Sequence, residues 1–481
     1  MQRALLILLF AASYLLFAGV TPWALRVLLV IAVLTALVSP RATFTLHPKT
    51  RALDLALLAL IAGVALQLAP LPAAVIDLIS PHAAGLRESV RFAPLGTPPP
   101  ALLTLSVNPD ATVLSLGTVV LGVLSFWSAR SVFNAGGGTR LFCKALAFLG
   151  VLAAAMAVLQ KAVAPRAALF MMVSEARSAS PFGAFINRNH FAGWMLMVAA
   201  PVAGYCIARM NTHPARRGRW RESIGEILGS GAIYTTVAAV IMIGVLLLTL
   251  SRSALAGLAA AALTGWMLGK PRLRIERTNV PGILGFVGAL LVLIVLFVDL
   301  DSWAARLEES FTAAGEFDRL SIWRESLPIA GDFWLTGSGA GTYSNAMTVY
   351  QQTRVWVGAM QNWAHFNNAH SHYVQVAAEG GLLLGLPVAA ALLALATLGW
   401  RAVRSDKGEM FWVRIGAAAG LAGLAVQSIW EVSLLMPANA VLAGMLAGLL
   451  LYHREAGARP GASAPAPEEM TSRPMPVRMG R

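Results

Sequence analysis

Two histidines, His370 and His372, lie in a short polar segment that leads directly into a long apolar stretch. The polar segment runs from Asn367 to Tyr373, and the apolar stretch continues from Val374 to Gly385 and beyond. Ionisable side chains are costly at the boundary of a bilayer, which makes them candidates for a functional role. The partial positive charge at the N-terminus of the following helix opposes protonation of His370. We therefore expect His370 to be a neutral base.

Two arginines, Arg252 and Arg319, form the second candidate group. Arg252 is the only charge in a tight hairpin between two apolar spans, where an arginine either snorkels to the interface or binds an anion. A guanidinium stays charged and binds phosphate oxygens through a planar fork of donors, which suits a diphosphate. Asn187 and Asn189 precede another span, where they could line a polar site or simply cap the helix.

The histidines also allow two readings without base catalysis. A zinc site built from His365, His370 and His372 is disfavoured, because histidines at i and i+2 do not share a helical face and no nearby acidic residue completes a standard motif. A structural reading, in which the histidines cap the helix and bond loop carbonyls, remains open. We predict that the site holds neither metal nor cofactor.

The elements that position these residues are predicted to be membrane helices. The chain is 57% hydrophobic and 12% charged, and its apolar runs predict an all-α, polytopic helical bundle with about 12 transmembrane helices. The predicted spans are Ala4–Val20, Trp23–Ser39, Ala52–Ala69, Thr112–Ala129, Leu141–Gln160, Phe191–Ile207, Ile233–Leu250, Ala254–Leu268, Gly282–Val298, Tyr373–Leu398, Phe411–Ile429 and Ala438–Leu451.

The positive-inside rule sets the predicted orientation. Most of the 37 Lys and Arg residues fall in every second loop, which places the N-terminus in the cytoplasm and puts Arg252, Arg319 and His370 on the outer side. The net charge of +14 is then explained by anchoring against anionic lipid headgroups, without nucleic acid as a partner.

The predicted organisation has four parts. Residues 1–298 carry nine spans, 299–369 form a large periplasmic loop with short helices, 370–452 carry three spans, and 453–481 form a disordered cytoplasmic tail. Tryptophans of the large loop are expected to form an interfacial belt, although some could stack on sugars. The segment from Gly337 to Thr342 lacks the Lys-Ser/Thr of a phosphate loop and is predicted to be a turn.

The motifs around these residues resemble those of the O-antigen ligase and polymerase superfamily. His370-Ser371 followed by nine residues and Gly381 resembles its His-[Asn/Ser/Gln]-x9-Gly signature, although Leu384 departs from the usual pattern. The remaining matches are Arg319 to Trp323 with its Arg-x-x-x-Trp element, Gly337 to Tyr343 with its Gly-x-Gly-x-Gly-Thr element, Ser251-Arg252 with its Ser-Arg hairpin, and Asn187 to Ala192 with its Asn-x-Asn segment.

This resemblance implies a metal-independent, inverting glycosyltransferase with a GT-C-like membrane fold, acting in lipopolysaccharide biosynthesis. The donor would be a glycan on undecaprenyl diphosphate, and the acceptor hydroxyl would belong to lipid A-core. The site would face the periplasm from the bacterial inner membrane. By the same resemblance, Arg252 and Arg319 would hold the diphosphate and His370 would take the acceptor proton. Further possible substrate-binding residues are Asn187, Asn189, Arg324, His372 and Tyr373.

Other acceptors and another function class remain as alternatives. Polymerases of O-antigen or exopolysaccharide and O-linked protein oligosaccharyltransferases use similar donors, so the acceptor could be a glycan or a protein. A solute transporter is less favoured. Transporters carry polar residues in mid-span and broken helices, whereas few charged groups are expected inside these spans.

Overall fold

The computed structural model describes residues 1–90, 102–173, 180–212, 232–272, 288, 319–353, 356–357 and 362–453, and almost all of its regular structure is helical. The α-helices of the described residues are α1 Gln2–Leu15, α2 Pro22–Leu37, α3 Pro40–Phe44, α4 Arg51–Gln67, α5 Ala73–Ile79, α6 Ala83–Val90, α7 Pro109–Asn134, α8 Gly138–Val163, α9 Arg188–Thr212, α10 Ala232–Leu248, α11 Arg252–Gly269, α12 Arg319–Asp332, α13 Tyr343–Tyr350, α14 His372–Ser405, α15 Phe411–Gln427 and α16 Pro437–Leu451.

The strands are short and pair only as small antiparallel hairpins. Leu71–Pro72 pairs with Leu102–Leu103, Ala167–Ala168 with Met172–Val173, and Trp356–Val357 with Asn362–Trp363. Short 3-10 turns occupy Phe17–Gly19, Lys270–Arg272 and Ser433–Leu435.

The helices fit a multi-pass membrane protein. Among the described residues, α7, α8, α9 and α14 are long and apolar enough to cross a membrane, and α1, α2, α10, α15 and α16 are shorter apolar helices. Every predicted span coincides with a helix except the ninth, Gly282–Val298, which lies outside the described residues apart from residue 288. The beginning of the predicted large loop, 299–318, and the tail from 454 onwards also lie outside them.

Close glycine contacts bring the candidate residues to one end of the bundle. A Cβ added at Gly257 of α11 would lie 2.7 Å from the carbonyl oxygen of Gly423 in α15, and one added at Gly423 would lie 2.6 Å from that of Gly257. Such small-residue crossings let membrane helices approach closely. Because Arg252 begins α11 and Glu431 follows α15, the crossing sets these two residues at the same end of the helix pair.

The interior contains an ion pair that the sequence analysis did not predict. Arg130 of α7 donates from Nη1 to both carboxylate oxygens of Asp54 in α4, at 2.8 Å each. Thr50 and Trp127 donate to the same carboxylate at 3.0 and 2.9 Å. The expectation of few charged groups inside the spans was therefore wrong for α4. Both carboxylate oxygens are bonded, so the pair is a closed structural link between two helices.

Helix α14 is broken at Gly381, where φ is 50° and ψ is −146°. The backbone after the break does not bond within the helix but to the turn that follows α12. The amides of Leu382 and Leu383 donate to the carbonyl oxygens of Trp334 and Leu335 at 2.8 and 2.9 Å. The positive φ explains the need for glycine here, because other residues rarely adopt it.

The glycine-rich segment after α12 is a turn, as the sequence predicted, and it packs on the break in α14. A Cβ at Gly337 would lie 2.0 Å from the carbonyl oxygen of Glu379, so the two backbones touch directly. Gly381 faces this turn, whereas a Cβ at Gly385 would meet nothing within 4 Å, so the two glycines do not form a joint contact with a neighbouring helix.

Candidate active site

His370 lies in the turn before α14 with a left-handed backbone, at φ 47°. A non-glycine residue in this region costs on the order of 1–3 kcal/mol and is found disproportionately at functional sites. The turn is held locally, because the His370 amide donates to Asn368 Oδ1 at 3.1 Å. Ser371 then caps α14 by accepting the Val374 amide at 3.4 Å. The side chains of Asn368 and Ser371 thus hold the backbone of the turn that carries His370.

Two contacts from other elements support the same turn through Ala369. Its amide donates to Gln375 Oε1 at 3.2 Å, and its carbonyl accepts the indole N–H of Trp323 at 2.9 Å. Gln375 in turn donates to Glu379 Oε1 at 3.0 Å. Trp323 lies on the same face of α12 as Arg319, one turn later, so one helix carries both the arginine and a clamp on the histidine turn. Trp323 therefore makes a specific hydrogen bond within the protein and is more than a member of an aromatic belt at the membrane surface.

Sequence reasoning missed the residue at the centre of the charged cluster, Glu431, in the short segment between α15 and α16. Its side chain is fully buried, and its Oε1 accepts hydrogen bonds from Asn189 Nδ2 at 2.7 Å and Arg319 Nη2 at 3.1 Å. His190 Nε2 lies 3.6 Å from its Oε2. The signal was present in the sequence, because an isolated acid between two apolar spans is as costly there as the histidines.

Arg252 and Arg319 are electrostatic neighbours. Burial lowers the pKa of the Arg319 guanidinium, the Glu431 carboxylate raises it, and repulsion from Arg252 lowers it again. Arg252 is exposed at the first turn of α11, whereas the Arg319 side chain is 32% exposed. The two guanidinium groups therefore form a positive pair at one end of the bundle, with Arg319 fixed by Glu431.

The same charges act on His370 and on Glu431. The pKa of His370 is lowered below its ordinary value, chiefly by burial, with Arg319 and His190 adding to the effect and Glu431 opposing it. Burial alone would raise the pKa of Glu431. Contact with His190 and the positive groups around the carboxylate outweigh burial, so the pKa of Glu431 is lowered overall and the carboxylate stays ionised. Burial, rather than the helix terminus, is the main cause that lowers the pKa of His370, and the lowered pKa favours the neutral imidazole.

Several buried polar atoms of this cluster have no hydrogen-bond partner among the described residues. These are Nδ1 of His370, Nε2 of His190 and Oε2 of Glu431. Buried polar atoms are bonded in the large majority of cases, and exceptions call for an explanation such as a catalytic role or a bound ligand. Nε2 of His190 and Oε2 of Glu431 lie only 3.6 Å from each other, so Nδ1 of His370 is the atom of this set that is open to a polar group of a substrate.

The two predicted asparagines serve different ends. Asn187 Oδ1 accepts the Asn189 amide at 2.8 Å at the start of α9, which is the capping role that the sequence left open. Asn189 instead reaches Glu431, so its side chain belongs to the charged cluster. The predicted substrate-binding role of Arg324 gains no support from position. Its side chain is exposed, and because Arg324 follows Arg319 by five residues on α12, the two side chains point about 140° apart around the helix axis.

His372 and Tyr373 lie beside an apolar cavity. The His372 amide donates to the carbonyl oxygen of Ser428 at 2.9 Å, and the Tyr373 hydroxyl donates to that of Ala425 at 2.8 Å. Both residues line a cavity of about 990 Å³ between α2, α4, α7, α14 and α16. His365 contacts Ser344 instead. Among the described residues, no three His, Cys, Asp or Glu side chains converge on a common metal position.

Comparison with known proteins agrees with the motif resemblance. Residues 237–389 match a protein-family model described as O-antigen ligase. This segment contains Arg252, Arg319 and His370, together with the broken start of α14. No curated protein matches the chain.

Proposed function

We propose that this chain, which belongs to the O-antigen ligase family through residues 237–389, transfers a glycan from undecaprenyl diphosphate to an acceptor hydroxyl. The acceptor we favour is lipid A-core, and the reaction takes place at the periplasmic face of the bacterial inner membrane. Members of this family are glycosyltransferase-like enzymes. The observation that carries it is the pairing of two arginines beside a neutral, half-buried histidine.

The arginine pair suits the diphosphate of the donor. Arg319 Nη2 donates to Glu431 Oε1 at 3.1 Å, which anchors the guanidinium on a buried carboxylate. In the proposed complex its other N–H groups donate to the oxygens of the diphosphate. Arg252 adds a second positive group that faces the same region and is exposed to an incoming lipid headgroup. Two guanidinium groups in this place offset the charge that develops on a departing diphosphate.

His370 supplies the base. In the proposed step, the acceptor hydroxyl oxygen attacks the anomeric carbon while His370 takes the hydroxyl proton. The bond between the anomeric carbon and the diphosphate oxygen breaks, and undecaprenyl diphosphate leaves with the electron pair. A single displacement inverts the configuration at that carbon. The imidazolium that forms is stabilised by the nearby Glu431 carboxylate, which raises the pKa of His370 against the effect of burial.

Deletion of the gene, followed by analysis of surface glycans, tests the function directly. A ligase mutant should accumulate lipid-linked polymer and display bare lipid A-core, and the wild-type gene but not the His370→Ala variant should restore the full glycan. Caps of a single repeat unit would indicate a polymerase, and loss of protein glycosylation would indicate an oligosaccharyltransferase. Unchanged surface glycans and unchanged glycoproteins would contradict the proposed function.

A further inference from the structure

Two buried amide side chains frame the segment that carries Glu431. Gln427 is the last residue of α15 and Asn439 lies in the first turn of α16, so Glu431 falls between them in the sequence. Gln427, Glu431 and Asn439 are all fully buried. A primary amide inside an apolar helix bundle is costly unless it is hydrogen-bonded, so the partners of the two amides indicate what they do.

Both amides donate to the backbone at the start of α9. Gln427 Nε2 donates to the carbonyl oxygen of Asn189 at 2.9 Å, and Asn439 Nδ2 donates to that of His190 at 3.2 Å. Asn189 and His190 are also the two α9 residues whose side chains approach Glu431, at 2.7 and 3.6 Å. Each of them is therefore held by an amide through its backbone and faces the carboxylate with its side chain.

Asn439 also bonds the segment of Glu431 itself. Its Nδ2 donates to the carbonyl oxygen of Ser433 at 2.9 Å, two residues after Glu431. A primary amide has two N–H groups, and Asn439 uses one on α9 and one on this segment. The orientation of the amide follows, because the reverse orientation would place Oδ1 against two carbonyl oxygens. One side chain thus ties the two segments together.

The helices do not depend on these amides for their approach. A Cβ at Gly416 of α15 would lie 2.5 Å from the carbonyl oxygen of Ala200 in α9, and one at Gly204 of α9 would collide with the backbone of Trp412. Small residues thus bring α9 and α15 into backbone contact. The amides add directional hydrogen bonds at the end of the helix pair where Glu431 lies, and such bonds specify one arrangement where apolar packing tolerates several.

The segment between α15 and α16 also reaches the other two parts of the charged cluster. The carbonyl oxygen of Ser428 accepts the amide of His372, which follows the His370 turn, at 2.9 Å. Glu431 Oε1 accepts Arg319 Nη2 at 3.1 Å. A displacement of this segment from α9 would therefore change the position of the carboxylate relative to both Arg319 and His370.

We propose that Gln427 and Asn439 are positioning residues for glycan transfer, which act through Glu431 by holding its segment on the start of α9. This inference rests on the proposed function and assigns neither amide a contact with substrate. Without the amide donors the carboxylate moves from its place beside Arg319. The charge that favours the imidazolium form of His370 is then weaker, and His370 becomes a weaker base.

Two variants remove the donors with little change in side-chain volume, Asn439→Leu and Gln427→Met. In purified, reconstituted full-length protein we expect kcat to fall by about five- to tenfold in each, and the acidic limb of the pH profile to move to lower pH, as in Glu431→Gln. The matched control is Gln160→Met. Gln160 is also fully buried, but its side chain bonds Ala164 and Gly183, so the profile should stay that of the wild type.

A double-mutant cycle separates positioning from general damage to the fold. If Asn439 acts through the carboxylate, Glu431→Gln combined with Asn439→Leu should lose about as much kcat as Glu431→Gln alone. Independent losses would instead multiply, to about fiftyfold or more. A multiplied loss, or wild-type rates and profiles in both single variants, would overturn the proposal. So would failure of both single variants to accumulate in the membrane, because the amides would then serve the fold.

Hydrogen exchange tests the same claim without an activity assay. In Asn439→Leu, backbone amides of residues 428–436 should exchange faster than in the wild type, whereas Gln160→Met should leave them unchanged. Equal exchange in wild type and Asn439→Leu would contradict the proposal. If the wild type transfers no glycan but exchange changes as expected, the proposed function fails and the link to α9 stands. If the wild type transfers glycan and the cycle shows multiplied losses, only the positioning role fails.

Discussion

Arg319 and Glu431, far apart in the sequence, form an ion pair in which Arg319 Nη2 lies 3.1 Å from Glu431 Oε1. The carboxylate is fully buried, while the arginine side chain is 32% exposed. The pair therefore anchors one nitrogen of the guanidinium on a buried carboxylate, while part of the arginine side chain stays exposed. It also sets the charge that His370 experiences, because Glu431 raises the pKa of that imidazole while burial lowers it.

Replacement of the Glu431 carboxylate by an amide should impair transfer and shift its pH dependence. In Glu431→Gln, the charge that favours imidazolium is lost, so the pKa of His370 falls further and the acidic limb of the rate profile moves to lower pH. The imidazole becomes a weaker base, so kcat should fall by about tenfold. The measurement is the pH profile of kcat and of kcat/KM.

The control for this variant is Glu409→Gln. Glu409 also pairs with an arginine, Arg140, at 2.6 Å, but both side chains are more than half exposed. An exposed pair contributes little, so this variant should keep the wild-type profile. A Glu431→Gln enzyme with the rate and profile of the wild type would show that Glu431 has no part in the chemistry.

The arginine pair should tolerate lysine poorly. In Arg252→Lys and Arg319→Lys the charge remains, but the planar fork for phosphate oxygens is lost. We expect kcat/KM for the lipid-linked donor to fall by about ten- to a hundredfold in each. Arg140→Lys, in the exposed pair with Glu409, is the matched control. Steady-state kinetics with the donor as the varied substrate gives the answer, and unchanged donor kinetics in both variants would rule out diphosphate binding by this pair.

Trp323 should act through the position of the His370 turn. Trp323→Phe keeps an aromatic ring but removes the indole N–H that donates to the Ala369 carbonyl at 2.9 Å. A lost hydrogen bond of about 1 kcal/mol corresponds to a roughly fivefold fall in kcat. Trp334→Phe is the control, because that side chain is 58% exposed. A change confined to KM for the sugar would instead indicate stacking by the ring.

Transfer should proceed without a bound divalent metal. The roles assigned to Arg252, Arg319 and His370 need no Lewis acid, so the purified enzyme should keep its rate after dialysis against a chelator. The measurement is initial rate before and after treatment, with added zinc as a further arm. Activity that disappears with the chelator and returns with zinc would instead support a zinc site built from the histidines.

The helices could be predicted because long apolar runs carry their own signal. Each run from α1 to α16 that was predicted as a span and lies in the described residues is helical. At the start of α7, Asn108 is a residue type favoured at helix N-caps, and its Oδ1 accepts the Ala111 amide at 3.3 Å. These features depend on residues close together in the sequence.

The parts that could not be predicted depend on contacts between distant segments. Glu431 is a single acid whose partners, Asn189 and Arg319, come from two other helices. The break at Gly381 lies inside an apolar run and is filled by a turn that follows α12. Asp54 went unnoticed for the same reason, since its partner Arg130 lies in another helix. Motif resemblance singled out His370 and the two arginines, and topology placed them on one side, but neither supplied the acid that connects them.

The central claim is that His370 takes the proton of the acceptor hydroxyl, and transfer by His370→Ala in purified, reconstituted protein tests it most directly. The account predicts a fall in kcat of about 10²- to 10⁴-fold, with normal accumulation and undiminished binding of undecaprenyl diphosphate. It also predicts that the acidic limb of the wild-type profile lies below the ordinary histidine pKa of 6.5, because the base works when neutral and its pKa is lowered. A His370→Ala enzyme that transfers glycan at the wild-type rate would contradict the account.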